Sequence, residues 1–291
     1  MNRVNRPALL PRLCIHAVVY ALALTMLVPF AWMVSTSLKT RDRAIAAPPE
    51  GSKAALLWAL PAGGPREWRW RNYADAWHAA RLGRFYANSA FVAVTVTLLA
   101  VIHNALAGFA FAKLRFAGRR PAFALVLATM MLPYQVYFIF AYVLCAWLGY
   151  IDHFQALIVP FLASAFGIFY MRQAIGSVPD DLLDAGRIDG LTTFELFRHV
   201  AVPIVRPALG ALAIFTFMAS WNSFFWPLIV IDSGDMYTLP LAVAALSTAT
   251  YSDSWPVQMA AATIITLPVI AVFLVFQRWF VRGIALTGVK G

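Results

Sequence analysis

Residues 177 to 207, SVPDDLLDAGRIDGLTTFELFRHVAVPIVRP, form a charged island in an otherwise apolar chain. Ser177 and Asp180 have the spacing of a capping box and Pro179 suits a first helical turn, which predicts a short helix running to about Ile188. Gly190 then stops it. Thr192 and Glu195 repeat the capping spacing and start a second short helix, which carries Phe194, Phe197 and Val200 on one side until Pro203. Two short helices about a glycine elbow make a compact knob that is too short to cross a bilayer. Taken locally, the same pattern also suits an ordinary connection between two membrane helices.

Working outward, composition sets the class. The chain has 291 residues, 62% hydrophobic and 12% charged, which excludes an ordinary soluble enzyme and a disordered chain and reads as an all-α, polytopic membrane protein. The net charge of +10 raises nucleic acid as a partner, but no basic stripe interleaves with exposed aromatics, and nucleic-acid binding is set aside. Of the 23 Lys and Arg, 14 fall at 3–12, 113–120, 172–206 and 278–290, each beside an apolar run, as cytoplasmic loops do. Cys14 and Cys145 belong near opposite membrane faces and make neither a disulfide framework nor a metal site.

The apolar runs predict six spans, at 14–34, 88–112, 121–144, 154–171, 208–231 and 259–280. Arg3, Arg6 and Arg12 precede the first, and its length of about twenty residues exceeds a signal-peptide core, so it is read as an uncleaved span following a cytoplasmic N-terminus at 1–13. The loop between the second and third spans holds Lys113, Arg115, Arg119 and Arg120 and no acid, which places it inside; the island and the tail 281–291 then also fall inside. The loop after the fifth span holds Asp232, Asp235 and Asp253 without a cation and falls outside. Residues 35–87 are read as an external segment with interface-seeking Trp58, Trp68, Trp70 and Trp77, although its nine cations against four acids run against the charge rule. The core is then 88–291. Pro29, Pro133, Pro160, Pro227 and Pro268 lie within spans and predict a bent bundle around a pathway.

No phosphate-binding loop of the G-x-x-x-x-G-K-[ST] type, no H-E-x-x-H and no C-x-x-C is present, and no Asp or Glu sits at mid-span, so this chain by itself offers neither a nucleotide site nor an acid proton relay. Polar groups at membrane depth are costly unless they face protein or water, which makes Asn104, Gln135, Trp221, Asn222, Ser223 and Trp226 the candidate substrate pathway. Aromatic faces stack on sugar rings and an amide both donates and accepts, so Asn222 among Trp221, Phe224, Phe225 and Trp226 suits a saccharide; a plain interhelical hydrogen bond is the competing reading. His103 reads as a packing histidine, having no metal or catalytic partner in the sequence.

On these residues the chain resembles a family. Asp184-Ala185-Gly186, Asp189-Gly190 and Val202-Pro203 look like the E-A-A, D-G and L-P anchors in the cytoplasmic loop of permease subunits of binding-protein-dependent ABC importers. More specifically, the chain is similar to six-span carbohydrate permeases of the maltose-transporter type. The resemblance extends through 32–39, 110–116, 162–167, 220–228 and 277–283. Asp184 stands for the family's glutamate, Gly186 for its second alanine, Leu191 for the alanine after the glycine, and Ser223 for a frequent aspartate.

The resemblance implies the type I ABC importer permease fold and a knob seated in a cytoplasmic ATPase subunit. The coupling residues it implies are Asp181, Leu182, Asp184, Ala185, Gly186, Arg187, Asp189, Gly190, Phe194, Phe197 and Pro203, with Leu183 and Ile188 as further apolar anchors and the tail from Leu286 reaching the same interface. It implies an inner-membrane subunit that is not an enzyme and imports a sugar or oligosaccharide. The partners implied are a second permease in a heterodimer, two ATPase subunits that bind ATP and Mg, an extracytoplasmic solute-binding protein and membrane lipid; no cofactor is expected on this chain. An importer of glycerol phosphate or another polyol derivative on the same frame is the alternative. An enzyme acting on lipid-linked sugar would need paired acids or a metal cluster, and a secondary transporter repeat symmetry and buried acids.

Overall fold

The computed structural model of the chain describes residues 9–45, 68–79, 81–248 and 254–288, and its regular structure there is entirely helical. Two compact units emerge, residues 1–80 with 245–264 and residues 81–244 with 265–291. In the first, α1 (Leu9–Ser37) is one unbroken 29-residue helix despite Pro29. Its residues from Ile15 to Phe30 are exposed on every side and, apart from His16 and Thr25, dominated by apolar side chains, the pattern of a helix made to face lipid. The segment after it folds on α3 (Arg71–Ala79), beyond the one-turn α2 (Arg41–Ile45). Asn72 Nδ2 donates to the carbonyls of Ser37 (2.7 Å) and Lys39 (2.9 Å), and the hydroxyls of Ser37 and Tyr73 pair at 2.7 Å. Trp58 and the glycines and prolines of 46–67 lie outside the described residues.

The second unit is organised around α4 (Leu82–Lys113). Its 32 residues rise about 48 Å, well over the roughly 30 Å of a bilayer core, so the helix extends beyond the predicted 88–112 at its N-terminal end. The proposed third span is interrupted. α5 (Arg119–Thr129) and α6 (Tyr134–Trp147) are separated by 130–133, because Pro133 has no N–H to continue a ladder and drives its predecessor out of the helical region. The fourth is also broken: α7 (Phe154–Ile158) passes through a tight turn at Val159–Phe161, containing Pro160, into α8 (Ala165–Gly176) with a 41° bend. The fifth divides into α11 (Arg206–Trp221) and α12 (Phe225–Val230), whereas α14 (Trp255–Gly288) continues unbroken past Pro268, preceded by α13 (Leu239–Thr248). Among the described residues, three helices are by themselves long and apolar enough to cross a membrane, α1, α4 and α14; the remaining proposed spans are assembled from bent or broken pieces.

Close packing of α4 on α8 rests on glycine. A Cβ at Gly108 would lie 2.6 Å from Met171 Cβ and 2.9 Å from Arg172 N, and one at Gly167 would lie 2.6 Å from Asn104 Cγ. Near the N-terminal end of α4, Asp152 accepts from the amides of Asp232 (3.0 Å) and Ser233 (2.8 Å) and from the Ser233 hydroxyl, which ties the 149–153 turn to the loop after α12. The hydroxyl and amide of Ser233 hold the Asp152 carboxyl below the usual carboxylate range. Arg84 and Asn88 at the start of α4 grip the same loop through the Asp235 carbonyl, at 2.9 and 3.0 Å.

Candidate functional site

At the C-terminal end of α4 the charged island folds into two short helices, α9 (Asp180–Ile188) and α10 (Thr193–Ile204). The elbow is built by the backbone. Gly190 sits at φ +82°, Leu191 N–H donates to Gly186 O (2.9 Å) and Gly190 N–H to Arg187 O (3.1 Å), which closes the α9 carbonyls in a Schellman turn. Thr192 and Glu195 form the predicted capping box: Thr192 N–H donates to Glu195 Oε2 (2.8 Å), and Glu195 N–H to Thr192 Oγ1 (3.4 Å). The Thr192 hydroxyl and amide hold the Glu195 carboxyl below its ordinary range.

The first capping box is not formed. Ser177 instead closes α8 by donating to Ala174 O (2.7 Å), and Asp180 accepts from Lys113 Nζ (2.7 Å), which also donates to Val178 O (2.6 Å). The carboxylate is better served by a cation on α4 than by a neighbouring amide, and that hydrogen bond and charge lower its pKa. A widened π turn over Leu196–Ala201 precedes Pro203, relieving the clash its ring would make in a regular turn.

Of the candidate coupling residues, Asp181, Leu182, Asp184, Ala185, Arg187, Asp189, Gly190 and Phe194 are on the surface. Arg187 pairs with Asp184, between Leu182 (47% exposed) and Ile188 (86%), with Phe194 (59%) also outward. Gly186, Phe197 and the expected anchor Leu183 face inward, and Pro203 is half-buried. A Cβ at Gly186 would meet Leu196 Cδ2 at 2.6 Å, so the glycine is what lets α9 lie on α10. Leu183, Leu196 and Phe197 enter one core with Ala105 and Phe109 of α4, Met171 and Ile175 of α8, and Ala208 and Leu212 of α11; Phe197 meets Phe109 edge-on at 5.4 Å. The knob is therefore fused to three long helices, with an apolar and charged outer face left unpartnered.

A second feature of this unit is a cavity of about 550 Å³ between α4, α6, α8, α11 and α12. Its aromatic wall is Tyr137, Phe161, Phe166, Phe215, Phe224, Phe225 and Trp226, and Ser164, Thr216, Ser220, Ser223 and Thr238 bring hydroxyls to it. Of the candidate pathway residues, Ser223 and Trp226 line it, and the Trp226 indole N–H is committed to Ala156 O at 2.9 Å.

Asn104, Trp221 and Asn222 stand elsewhere. Asn104 is fully buried and accepts from Ser164 N (3.0 Å) at the α4–α8 crossing. Trp221 is buried against Tyr86 and Phe217 and donates to Ile265 O (3.3 Å). The Asn222 amide turns back on Met218 O (2.8 Å) at the end of α11. The Gln135 side chain lies outside the described residues. His103 Nδ1 sits 2.7 Å from Leu99 O, satisfied by its own helix. Thr216 and Ser220 escaped the sequence reading; their signal is hydroxyls at 216, 220 and 223, one face of an otherwise apolar helix.

Residues 104–286, which include the knob and most of the cavity wall, match the family model of the binding-protein-dependent transport system inner membrane component. The chain belongs to this family. The permease is 32% identical over 274 residues to the lactose transport system permease protein LacG of Rhizobium radiobacter, covering 94% of this chain and 95% of the relative. It is 34% identical over 225 residues to the sn-glycerol-3-phosphate transport system permease protein UgpE of Yersinia enterocolitica, covering 74% and 79%. In fold it matches a chain from the crystal structure of a bacterial ABC transporter involved in the import of the acidic polysaccharide alginate, with TM-score 0.79 and 22% identity over 96% of this chain and all of that one. The permease is thus a multi-pass inner-membrane transport subunit of ABC importer type, acting with other subunits of its system, and not an enzyme.

Proposed function

We propose that this permease imports a sugar or oligosaccharide, as one half of a heterodimer with a second permease, served by an extracytoplasmic solute-binding protein and two ATPase subunits that hold ATP and Mg. Both termini and the knob face the cytoplasm, in keeping with the cations flanking the inner ends of the spans. The observation that carries the reading is the outer face of the knob. Leu182, Ile188 and Phe194 stand exposed beside an Arg187–Asp184 pair, a mix of apolar anchors and charges suited to an interface, on a body that shares a core with α4, α8 and α11. ATP binding draws two such knobs together and the attached helices rock, exposing the pathway to the opposite side. The sugar is supported by the lactose permease relative and by an aromatic cavity edged with hydroxyls.

The test is Gly190→Asp in the assembled transporter. A side chain at φ +82° strains the elbow, and a second carboxylate beside Asp189 opposes the dipole at the end of α9, together about 1–2 kcal/mol. Uptake into proteoliposomes is expected to fall at least tenfold while ATP hydrolysis continues. Normal uptake by this variant, or labelling of Ile188→Cys from the outside of intact cells, removes the coupling role.

A further inference from the structure

Hydroxyls in membrane helices ordinarily satisfy themselves by donating to a carbonyl of the preceding turn. This chain does so repeatedly: Thr25 donates to Ala21 O (2.9 Å), Thr97 to Ala93 O (2.6 Å) and Thr263 to Met259 O (2.8 Å). Thr36 and Thr95 do not, though neither lines the cavity; along the cavity the free hydroxyls come in a row. Among the described residues, the hydroxyls of Thr216, Ser220 and Ser223 make no hydrogen bond to the protein, although each lines the cavity and α11 offers the same carbonyls. Thr238, 5% exposed in the same wall, has a hydroxyl with no partner either. Thr216 and Ser220 are one turn apart, about 6 Å along α11, and Ser223 continues the row just past the end of the helix. Opposite and beside them stand the partly exposed rings of Phe166, Phe215, Phe224 and Phe225.

We propose that the Thr216–Ser220–Ser223 row is this permease's own saccharide contact, and that it selects uncharged sugars. This rests on the carbohydrate-import reading above and narrows it. Sugar hydroxyls both donate and accept, matching a row of free hydroxyls, and the aromatic rings take the apolar C–H faces of a pyranose. A phosphate or carboxylate in the same place is without a counter-charge. Among the described residues, no Lys, Arg, His, Asp or Glu lines the cavity, and an unpaired anion in an apolar wall is strongly disfavoured. That separates this chain from the substrate classes of two proteins it resembles, glycerol 3-phosphate and acidic alginate, and sets it with the lactose permease.

The experiment uses the complete transporter with its binding protein in proteoliposomes. It is offered a panel of labelled neutral mono-, di- and trisaccharides together with glycerol 3-phosphate and a uronic-acid disaccharide. The wild type is expected to accumulate one or more neutral members and neither anion. In Thr216→Val/Ser220→Ala, loss of two hydrogen bonds raises the KM for the transported sugar about tenfold with assembly unchanged on size exclusion, and Thr216→Ser/Ser220→Thr recovers at least half of that loss. An unchanged KM in the hydroxyl-free variant overturns the assignment of the row, and uptake of either anion overturns the selectivity, while saccharide import itself stands in both cases. Uptake of no saccharide at all overturns the carbohydrate reading and this inference together. If the hydroxyl-free variant fails to assemble, Ser223→Ala, outside any helix, decides: loss of its single hydrogen bond is expected to raise the KM about threefold, and an unchanged KM overturns the assignment.

Discussion

Lys113 shows how one side chain ties the knob to the bundle. Its stem is buried at the end of α4, and its ammonium reaches the Val178 carbonyl and the Asp180 carboxylate across the turn into α9. Lys113→Met keeps the packing and deletes both bonds, and uptake per ATP hydrolysed is expected to fall several-fold, measured side by side in proteoliposomes. The pH response follows from Asp180. Its folded pKa is lowered, foremost by the hydrogen bond from Lys113 and then by that residue's charge, so its contribution is fully present above the unfolded value near 4 and disappears as pH falls through the lower folded value. Protease protection of 177–190 is therefore expected to be flat from pH 8 to 5 and to drop only below about 4. Asp180→Asn is expected to make that acid limb shallower.

The element that depends most on a single small residue is the α4–α8 crossing. Gly108 faces the backbone of Arg172 as well as Met171, and a backbone cannot rotate aside as a side chain can. Gly108→Ala is expected to cost about 2 kcal/mol and lower the Tm of the detergent-purified complex by several degrees. Gly176→Ala, at the end of the same α8 with open space where its Cβ would go, is expected to leave the Tm unchanged or slightly raised. The second knob helix was legible because Thr192, Glu195 and Pro203 are local signals. The start of α9 was not: Ser177 and Asp180 have capping spacing, yet Lys113, more than sixty residues away in the chain, claims the carboxylate.

For the whole molecule, the decisive connection is the core shared by the knob, α4, α8 and α11. Phe197, read from sequence as part of the docking face, is instead the inward peg of that core, stacked edge-on against Phe109. Phe197→Ala is expected to open a cavity costing about 3 kcal/mol and to loosen transmission, so that ATP hydrolysis continues with at least fivefold less uptake. By contrast Ile188→Ser, on the exposed face, is expected under the proposed coupling role to weaken co-purification of the ATPase subunits while leaving the Tm of the permease intact.

The amino-acid sequence alone determined the class of this protein, its apolar runs and the elbow at Gly190, because hydropathy and capping act over a few neighbouring residues and need no partner. Only the tertiary structure decided which polar side chains are spent and which are free. Trp221 and Asn222 look like pathway residues in the chain but spend their N–H groups on Ile265 and Met218, and Asn104 takes the Ser164 amide on its carbonyl while its buried Nδ2 stays unpaired; Thr216 and Ser220 keep open hydroxyls in a cavity that, among the described residues, no charged side chain lines. A hydrogen bond is settled by which acceptor the fold brings within 3 Å, and for a long-range partner that distance is set by helix crossings such as the one at Gly108.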